Sequence, residues 1–586
     1  MKYLPLTLTS IAALGLLALF PGSLLAASNT WDGGGGDGNW STAGNWTGDT
    51  NIPGVADSGA TTTNTDTATF IQPLGTSPVV IDLGGRNLQN ITFDTNTSVA
   101  FVIGTVGGTN PLFLTNGGAI TNKTSSSTSN AQTINAPIVI EGNAGSYTFD
   151  QQDGGTGASI TFNGAISGVS TAGNTTTLTL TGNNNGVSVI NGKISNGGSG
   201  GKLAISSTGA ATSWRLNGTN DYTGGTTITG GGILVGNNSA LGTGVVTFNG
   251  ANAGTLGVTG ATAITLGNNI SLQHSGGSGS GNISSASSTA ALILGGTITN
   301  VGGGTRVVTL SNTNGTTLSG NILLSDNTTA GTLNFQPGTA STTTATISGV
   351  ISNGAAASGA VTKSAAGTLV LTGSNTYTGV TTITAGTLLV NGDNTAATGT
   401  TTVSAGTLGG NGIIGGNVTI ADATTAILAP GTQADSTTTL TLNNKNLTFS
   451  GASSQLKLDI TGTSAGSFDK ITGINTLAQF GAITFTLSGT YGTTSWDVLD
   501  FTALFASSHF STISLEGTYV GNLTRGGGVS NTWTGNVSGQ TWTYEETTGV
   551  LSVVPEPSTW ALLAFSLTTV MVLRRRRSAS FGRYLE

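Results

Sequence analysis

Residues 367–388 read GTLVLTGSNTYTGVTTITAGTL. Apolar side chains alternate with Thr along TLVL and return in TTI and TL, and the stretches between them are Gly, Ser, Asn and Ala. Alternation with period two puts one face of each short strand into a core. Gly and Asn tolerate the left-handed backbone of sharp corners. An earlier stretch, WRLNGTNDYTGGTTI at 214–228, repeats LVLTGSNTYTGVTTI at 369–383 in the frame L-x-G-x-N-x-Y-T-G-x-T-T-I. Asn220, Tyr222 and Gly224 therefore correspond to Asn375, Tyr377 and Gly379. Shorter echoes follow: GTLGV at 254, GTLVL at 367, GTLLV at 386 and GTLGG at 406. A second signature, apolar-x-G-x-I-[ST], appears as FNGAIS (162–167), INGKISN (190–196), LGGTITN (294–300) and ISGVISN (347–353).

A unit of about 20 residues is too short to bury its own apolar face, but stacked on its neighbours it can. The expected fold is all-β, a right-handed parallel β-helix (β-solenoid). Some 400 residues at about 20 per coil and about 4.8 Å per coil set an upper bound near 100 Å. A string of separate β-sandwich modules is the alternative, disfavoured because the units are shorter than a sandwich. Composition agrees with a collapsed, strand-rich chain. Charged residues are only 7% and hydrophobic ones 36%, which is the reverse of a disordered chain. The formal net charge of -7, with basic residues gathered at the two ends, gives no footprint for phosphate backbones, so nucleic acid is not an expected partner. The absence of Cys excludes disulfides and thiol chemistry.

The expected organisation starts with a signal peptide at 1–27. Lys2 precedes an apolar region, Pro21-Gly22 ends it, and Ala26-Ala27 offers small residues for cleavage. A Trp/Gly-rich cap at 28–60 follows, with Trp31, Trp40 and Trp46 covering the first coil. The β-solenoid is expected over 61–439, clearest at 214–250 and 363–410. A C-terminal β-region, richer in acidic and aromatic residues, is expected over 440–553. Residues 554–577 then combine Val554-Pro555-Glu556-Pro557, an uncharged apolar run at 558–573, and Arg574, Arg575, Arg576 and Arg577. As a helix the run extends about 24 Å, short of a hydrocarbon core of about 30 Å. The arginines act as a cytoplasmic stop signal, leaving 578–586 as a cytoplasmic tail. A short C-terminal transmembrane helix at 558–573 is expected, with the inner membrane as a partner through it. The chain would be exported through the inner membrane and span it before processing. The mature protein would then reside at the cell surface or outside the cell.

Two resemblances enter here. The Pro-Glu-Pro, apolar run and Arg cluster closely resemble the PEP-CTERM sorting signal. That resemblance implies an exosortase-like processing enzyme as a partner, acting at Pro555, Glu556 and Pro557, and possible contact with extracellular polysaccharide. The repeats resemble the autotransporter-associated β-strand repeat family, whose run is G-x-L-x-L-x-G-x-N-x-Y-x-G-x-T-x-I-x-x-G-x-L. Residues 367–388 match it almost position by position. Residues 214–234 match less well, because Arg215 and Gly232 alter the strands. A translocating membrane barrel, the usual end of an autotransporter, is not expected here, so self-secretion is not implied.

No catalytic residue, cofactor or metal ligand is expected. His274 and His509 stand far apart, and no HExxH, Ser-His-Asp or phosphate-binding pattern occurs. Asp497 and Asp500 in WDVLD, and Glu545 and Glu546, fall on opposite faces of their strands. The run WDGGGGDGN is superficially similar to calcium-binding nonapeptide repeats, but those stack many such turns and this one occurs once. Tyr222 and Tyr377 recur at one repeat position, which points to packing. The expected function is a non-catalytic surface or matrix protein, structural and adhesin-like. The alternative is a carbohydrate-active β-helix enzyme, a polysaccharide lyase or glycosidase, which needs clustered carboxylates or a base with cationic stabilisers.

Overall fold

The computed structural model describes residues 27–555 except 50, 57–62, 73–76, 95–99, 124–130, 143–144, 153–157, 169–170, 184–185, 199, 210–211, 251–253, 274–279, 284–289, 432–437, 465 and 529, together with 568–571. Residues 1–26 of the expected signal peptide 1–27, His274, Glu556, Pro557, Arg574 to Arg577 and the tail 578–586 lie outside the described residues.

The chain winds into a right-handed parallel β-solenoid. Strand ladders are parallel from Asn29–Trp31 on Thr67–Phe70 to Ala482–Leu487 on Thr512–Gly517. The clearest coils surround the opening stretch. Thr368–Leu371 pairs with Thr387–Val390, and Thr381–Ile383 with Thr401–Val403. A short third side is laid down by pairs such as Asp393–Asn394 on Ile413–Ile414. The alternation works as its period dictates: Leu369, Leu371 and Ile383 are fully buried while the intervening residues lie nearer the surface. Each such Leu or Ile contributes about 2–3 kcal/mol by leaving water. The offset from one coil to the next varies from 17 residues, Thr401 on Val418, to 39, Asn29 on Ala68.

Stacking explains the glycines. The two sequence signatures, which look distinct in the primary structure, place their glycines in shared corner columns. Gly164, Gly192 and Gly218 succeed one another in one run of coils, and Gly296, Gly320, Gly349, Gly373, Gly392 and Gly412 in another. At each step a Cβ would overlap the carbonyl oxygen of the glycine or asparagine residue one coil below, or of Ala136 at the start. Beside the first column runs an amide ladder. Asn163, Asn191 and Asn217 each donate from Nδ2 to Oδ1 of the asparagine one coil below, at 2.8 Å, starting from Asn135.

Both ends of the stack are covered. At the first coil Trp31, Trp40 and Trp46 are buried against Phe70, with Trp46 5.1 Å from Trp31 and 5.0 Å from Trp40 between ring centroids. Trp40 Nε1 donates to Pro53 O and Trp46 Nε1 to Trp40 O, both at 2.8 Å, so the rings cover an otherwise open sheet edge with their polar atoms satisfied. At the far end Gly521–Arg525, Thr532–Val537, Gln540–Glu545 and Val550–Pro555 form an antiparallel meander that closes on Thr494–Asp497. Trp496 and Trp542 stack face to face inside it, 6.0 Å apart.

The expected transmembrane helix at 558–573 requires correction. Among the described residues no helix is long and apolar enough to cross a membrane. Residues 568–571 form a single turn, about 6 Å long at 1.5 Å per residue, against the ~30 Å of a hydrocarbon core. The remainder of 558–573 lies outside the described residues. The membrane-spanning stage of the expected localisation and the inner-membrane contact fall with that helix. The exosortase-like and polysaccharide partners, implied by the PEP-CTERM resemblance, go with it, because nothing in the described structure holds the chain at the membrane where such processing would occur. Pro555 itself ends the last strand, paired with Gln540.

Candidate functional site

The repeat-defining residues serve the backbone. Asn220 is buried at the corner before Tyr222; its Oδ1 accepts from Ile194 N at 2.7 Å and its Nδ2 donates to Ala240 O at 2.6 Å. Asn375 repeats the first contact, accepting from Ile351 N at 2.8 Å, and donates instead to Asn394 Oδ1 at 3.0 Å. Each amide thus bridges three successive coils at the short third side. Tyr222 and Tyr377 are buried, with hydroxyls 2.6 and 2.7 Å from Thr226 and Thr381 Oγ1. Burial holds both phenols above their ordinary range. Gly224 and Gly379 donate to Leu203 O and Gly359 O, both at 2.9 Å, leaving no room for a Cβ. Asn375→Ala is expected to destabilise its coil by about 2 kcal/mol, because Ile351 N–H is left buried without an acceptor. Tyr377→Phe should cost about 1 kcal/mol. Chemical denaturation of both variants, followed by hydrogen exchange at 347–394, checks the ranking.

The structure adds a residue that the sequence reading passed over. Lys363 turns into the coil and donates from Nζ to the carbonyls of Ser364 (3.1 Å), Ala365 (2.9 Å) and Ala385 (2.9 Å). Burial lowers its pKa to about 8. In the earlier repeat Ser207 occupies the same place beside TTI and donates to Gly230 O at 3.1 Å. The signal was present: Lys363 has the parity of Val361, an inward position.

On the outer face of the later coils lies a cleft of about 230 Å³, lined by Leu389, Ile427, Lys457, Asp459, Asp469 and Thr486 among others. Asp469 is nearly buried; it accepts from Thr438 N and Asp459 N, both at 2.9 Å. Burial, aided by the Asp459 charge, pushes its pKa up from 3.8 to about 6 despite these two donors. A carboxyl group whose folded pKa is raised stabilises the fold fully below about pH 4, and that contribution is lost as pH rises through 6. The melting temperature of the wild type minus that of Asp469→Asn should therefore fall between pH 4 and 6.5, equivalent to about 1–3 kcal/mol. Calorimetry across that range checks the sign, and a flat difference would contradict it.

Near the C-terminal end His509 and Glu546 meet. The sequence places His509 alone, but its Nδ1 lies 2.6 Å from Glu546 Oε2. Glu546 Oε1 accepts from Phe510 N at 2.9 Å and Trp533 Nε1 at 2.8 Å. Its backbone oxygen accepts from Gln479 Nε2 at 3.2 Å. Glu545 faces outward, as the alternation requires, and accepts from Thr532 and Thr547 hydroxyls at 2.7 Å. Trp542, Tyr544 and Glu546 share one parity in TWTYEE, so the inward position of Glu546 was readable. WDVLD turns between two strands: Asp497 ends Thr494–Asp497 and binds Lys470 at 2.6 Å, whereas Asp500 belongs to Leu499–Leu504. In the Gly-rich loop Asp37 accepts from Thr42 Oγ1, Asn39 N and Asn45 Nδ2, which lower its pKa to about 2. Among the described residues no three His, Asp or Glu side chains are grouped to hold a metal ion.

With this geometry in place, two stretches can be compared with known families. Residues 208–235 and 361–390 match the Passenger-associated-transport-repeat family. Both matched repeats carry the buried Asn and Tyr and the close-packed Gly described above, and both begin beside the corner that Ser207 or Lys363 supports. The likeness is to an autotransporter-type exported repeat built into a β-solenoid. No curated protein and no solved structure matches the chain.

Proposed function

We propose that this chain is a non-catalytic exported scaffold, adhesin-like, whose long repeated surface does the work. The observation that carries the reading is the use of the recurring polar residues. Asn220, Asn375 and Lys363 turn inward and bind neighbouring coils, and Tyr222 and Tyr377 turn inward and brace the next strand of their own coil. A repeat that spends its distinctive side chains on stacking is suited to building length. The test is attachment of cells displaying the full chain. A folded variant combining Lys457→Ala, Asp459→Asn and Asp469→Asn should attach as the wild type does. Loss of attachment in that variant would replace the scaffold reading with a single-site one.

The same reading takes residues 554–577 as a sorting signal of the PEP-CTERM kind. It is supported by the order of Pro555-Glu556-Pro557, the apolar run and the arginines, which begins at the final residue of the last strand. Replacing Pro-Glu-Pro by alanines should leave the solenoid folded and change where the protein accumulates. An unchanged distribution on cell fractionation would overturn this part.

A further inference from the structure

The first described residue is tied to a nearly buried carboxylate. Ala27 N–H donates to Asp66 Oδ1, while Asp66 Oδ2 accepts from Gly54 N at 2.8 Å. Asp66 is fixed on every side: its N–H donates to Asn64 Oδ1 at 2.7 Å, and its carbonyl accepts from Gln89 N and Asn90 N. Ser28 Oγ then accepts from Thr67 N at 2.9 Å, and Asn29, Thr30 and Trp31 pair with Ala68, Thr69 and Phe70. The ordered contacts of the first coil thus run without a gap from Ala27 to Trp31 of the aromatic cap.

The small-residue rule for leader cleavage does not choose between a cut after Ala26 and one after Ala27, since the residue two before either is a leucine, Leu24 or Leu25. The Asp66 contact does choose. A cut after Ala27 removes the donor and leaves Oδ1 of a nearly buried carboxylate without it. A cut after Ala26 strengthens the donor. We propose that the Ala26–Ala27 bond is the processing site, and that the α-ammonium it releases seats on Asp66 as an ion pair that locks the first coil under the Trp cap. The inference rests on the exported reading above. In the step, water attacks the Ala26 carbonyl carbon and the C–N bond breaks. Ala26 leaves as a carboxylate on the leader, and Ala27 nitrogen takes up protons to become –NH3+. The amide hydrogen bond becomes a charge-assisted one, of the stronger class.

The experiment uses the full chain in an exporting host. N-terminal sequencing and intact mass of the exported protein should give Ala27 as the first residue. A first residue at Ser28 or beyond overturns this proposal alone, whereas a start at Met1 overturns the exported reading as well. The ion pair is tested by inserting Gly-Ser between Ala26 and Ala27, which moves the new amine two residues away. Asp66→Asn should raise the unfolding equilibrium constant about tenfold more in the chain that starts at Ala27 than in the Gly-Ser chain. Equal effects in the two chains overturn the pairing. A second readout holds if Asp66→Asn does not fold: an aminopeptidase should release Ala27 from the native wild type much more slowly than it trims Gly-Ser from the inserted chain. Equal rates overturn the proposal.

Discussion

Gly349→Val is expected to break the solenoid locally, with loss of more than about 3 kcal/mol from the coils on either side. A Cβ at this corner would overlap the carbonyl oxygen of Gly320 and lie 2.5 Å from its carbonyl carbon. The obstacle is backbone, already engaged in the ladder, so no side chain can rotate away. Relief requires the two coils to separate, which breaks the hydrogen bonds of Ser348 N and Gly349 N to Leu318 O. Gly349→Ala should show most of the same loss. Gly267→Ala is the control, because a Cβ there meets nothing within 4 Å; it should be neutral or slightly stabilising. In a solenoid each coil contacts only its neighbours, so the damage should stay near the substitution. Hydrogen exchange resolved by peptide is the measurement. Fast exchange confined to about 316–376 in Gly349→Val, with native protection near Trp31 and Trp542, is the expected pattern. Normal protection at 318–349 would refute the column as a packing constraint.

Glu546→Ala should release the C-terminal meander, at a cost of about 3–4 kcal/mol. The side chain is fully buried, and its two oxygens accept from His509, Phe510 N–H and Trp533 Nε1–H. Those three donors come from the last coils and from the meander, so the carboxylate joins two parts of the chain. Removing it leaves the Phe510 and Trp533 donors buried without an acceptor, while the partly exposed His509 can turn to water, and an unmade buried hydrogen bond costs more than a made one contributes. Glu546→Gln keeps one acceptor oxygen and should fall between Ala and wild type. Glu545→Ala, on the outward face, should change stability by less than about 1 kcal/mol. Chemical denaturation measures the stabilities, and limited proteolysis should cut first between 517 and 550 in Glu546→Ala. Equal stability of the Glu546 and Glu545 variants would show that this network does not hold the meander.

How far the sequence carries can be judged from particular residues. Leu369, Leu371 and Ile383 announce their inward faces by period two alone. The recurrence of Asn, Tyr and Gly at 220–224 and 375–379 announces stacked copies, since only equivalent positions in a stack need equivalent side chains. The parity of Lys363 and Glu546 also points inward. What parity leaves out is the partner. Lys363 looks like a surface lysine until Ser364, Ala365 and Ala385 supply three carbonyls around it. Asp469 stands in no pattern, and its burial comes from Thr438 and Asp459, 31 and 10 residues earlier in the chain. The apolar run at 558–573 shows the opposite error: composition alone suggested a spanning helix, and the described helical turn covers only 568–571.

By itself, then, the sequence determined that this chain is a stack of short strands turned by Gly and Asn corners. Such information is local: a period of two, a corner residue and a repeat each lie within about 20 residues. Only the tertiary structure decided which of those corners share a column, which carboxylates are buried and what they hold. His509 meets Glu546 across 37 positions, and Asn375 meets Asn394 across 19. Coil lengths vary along the rod, so the register that brings such residues together accumulates coil by coil and is written in no single segment.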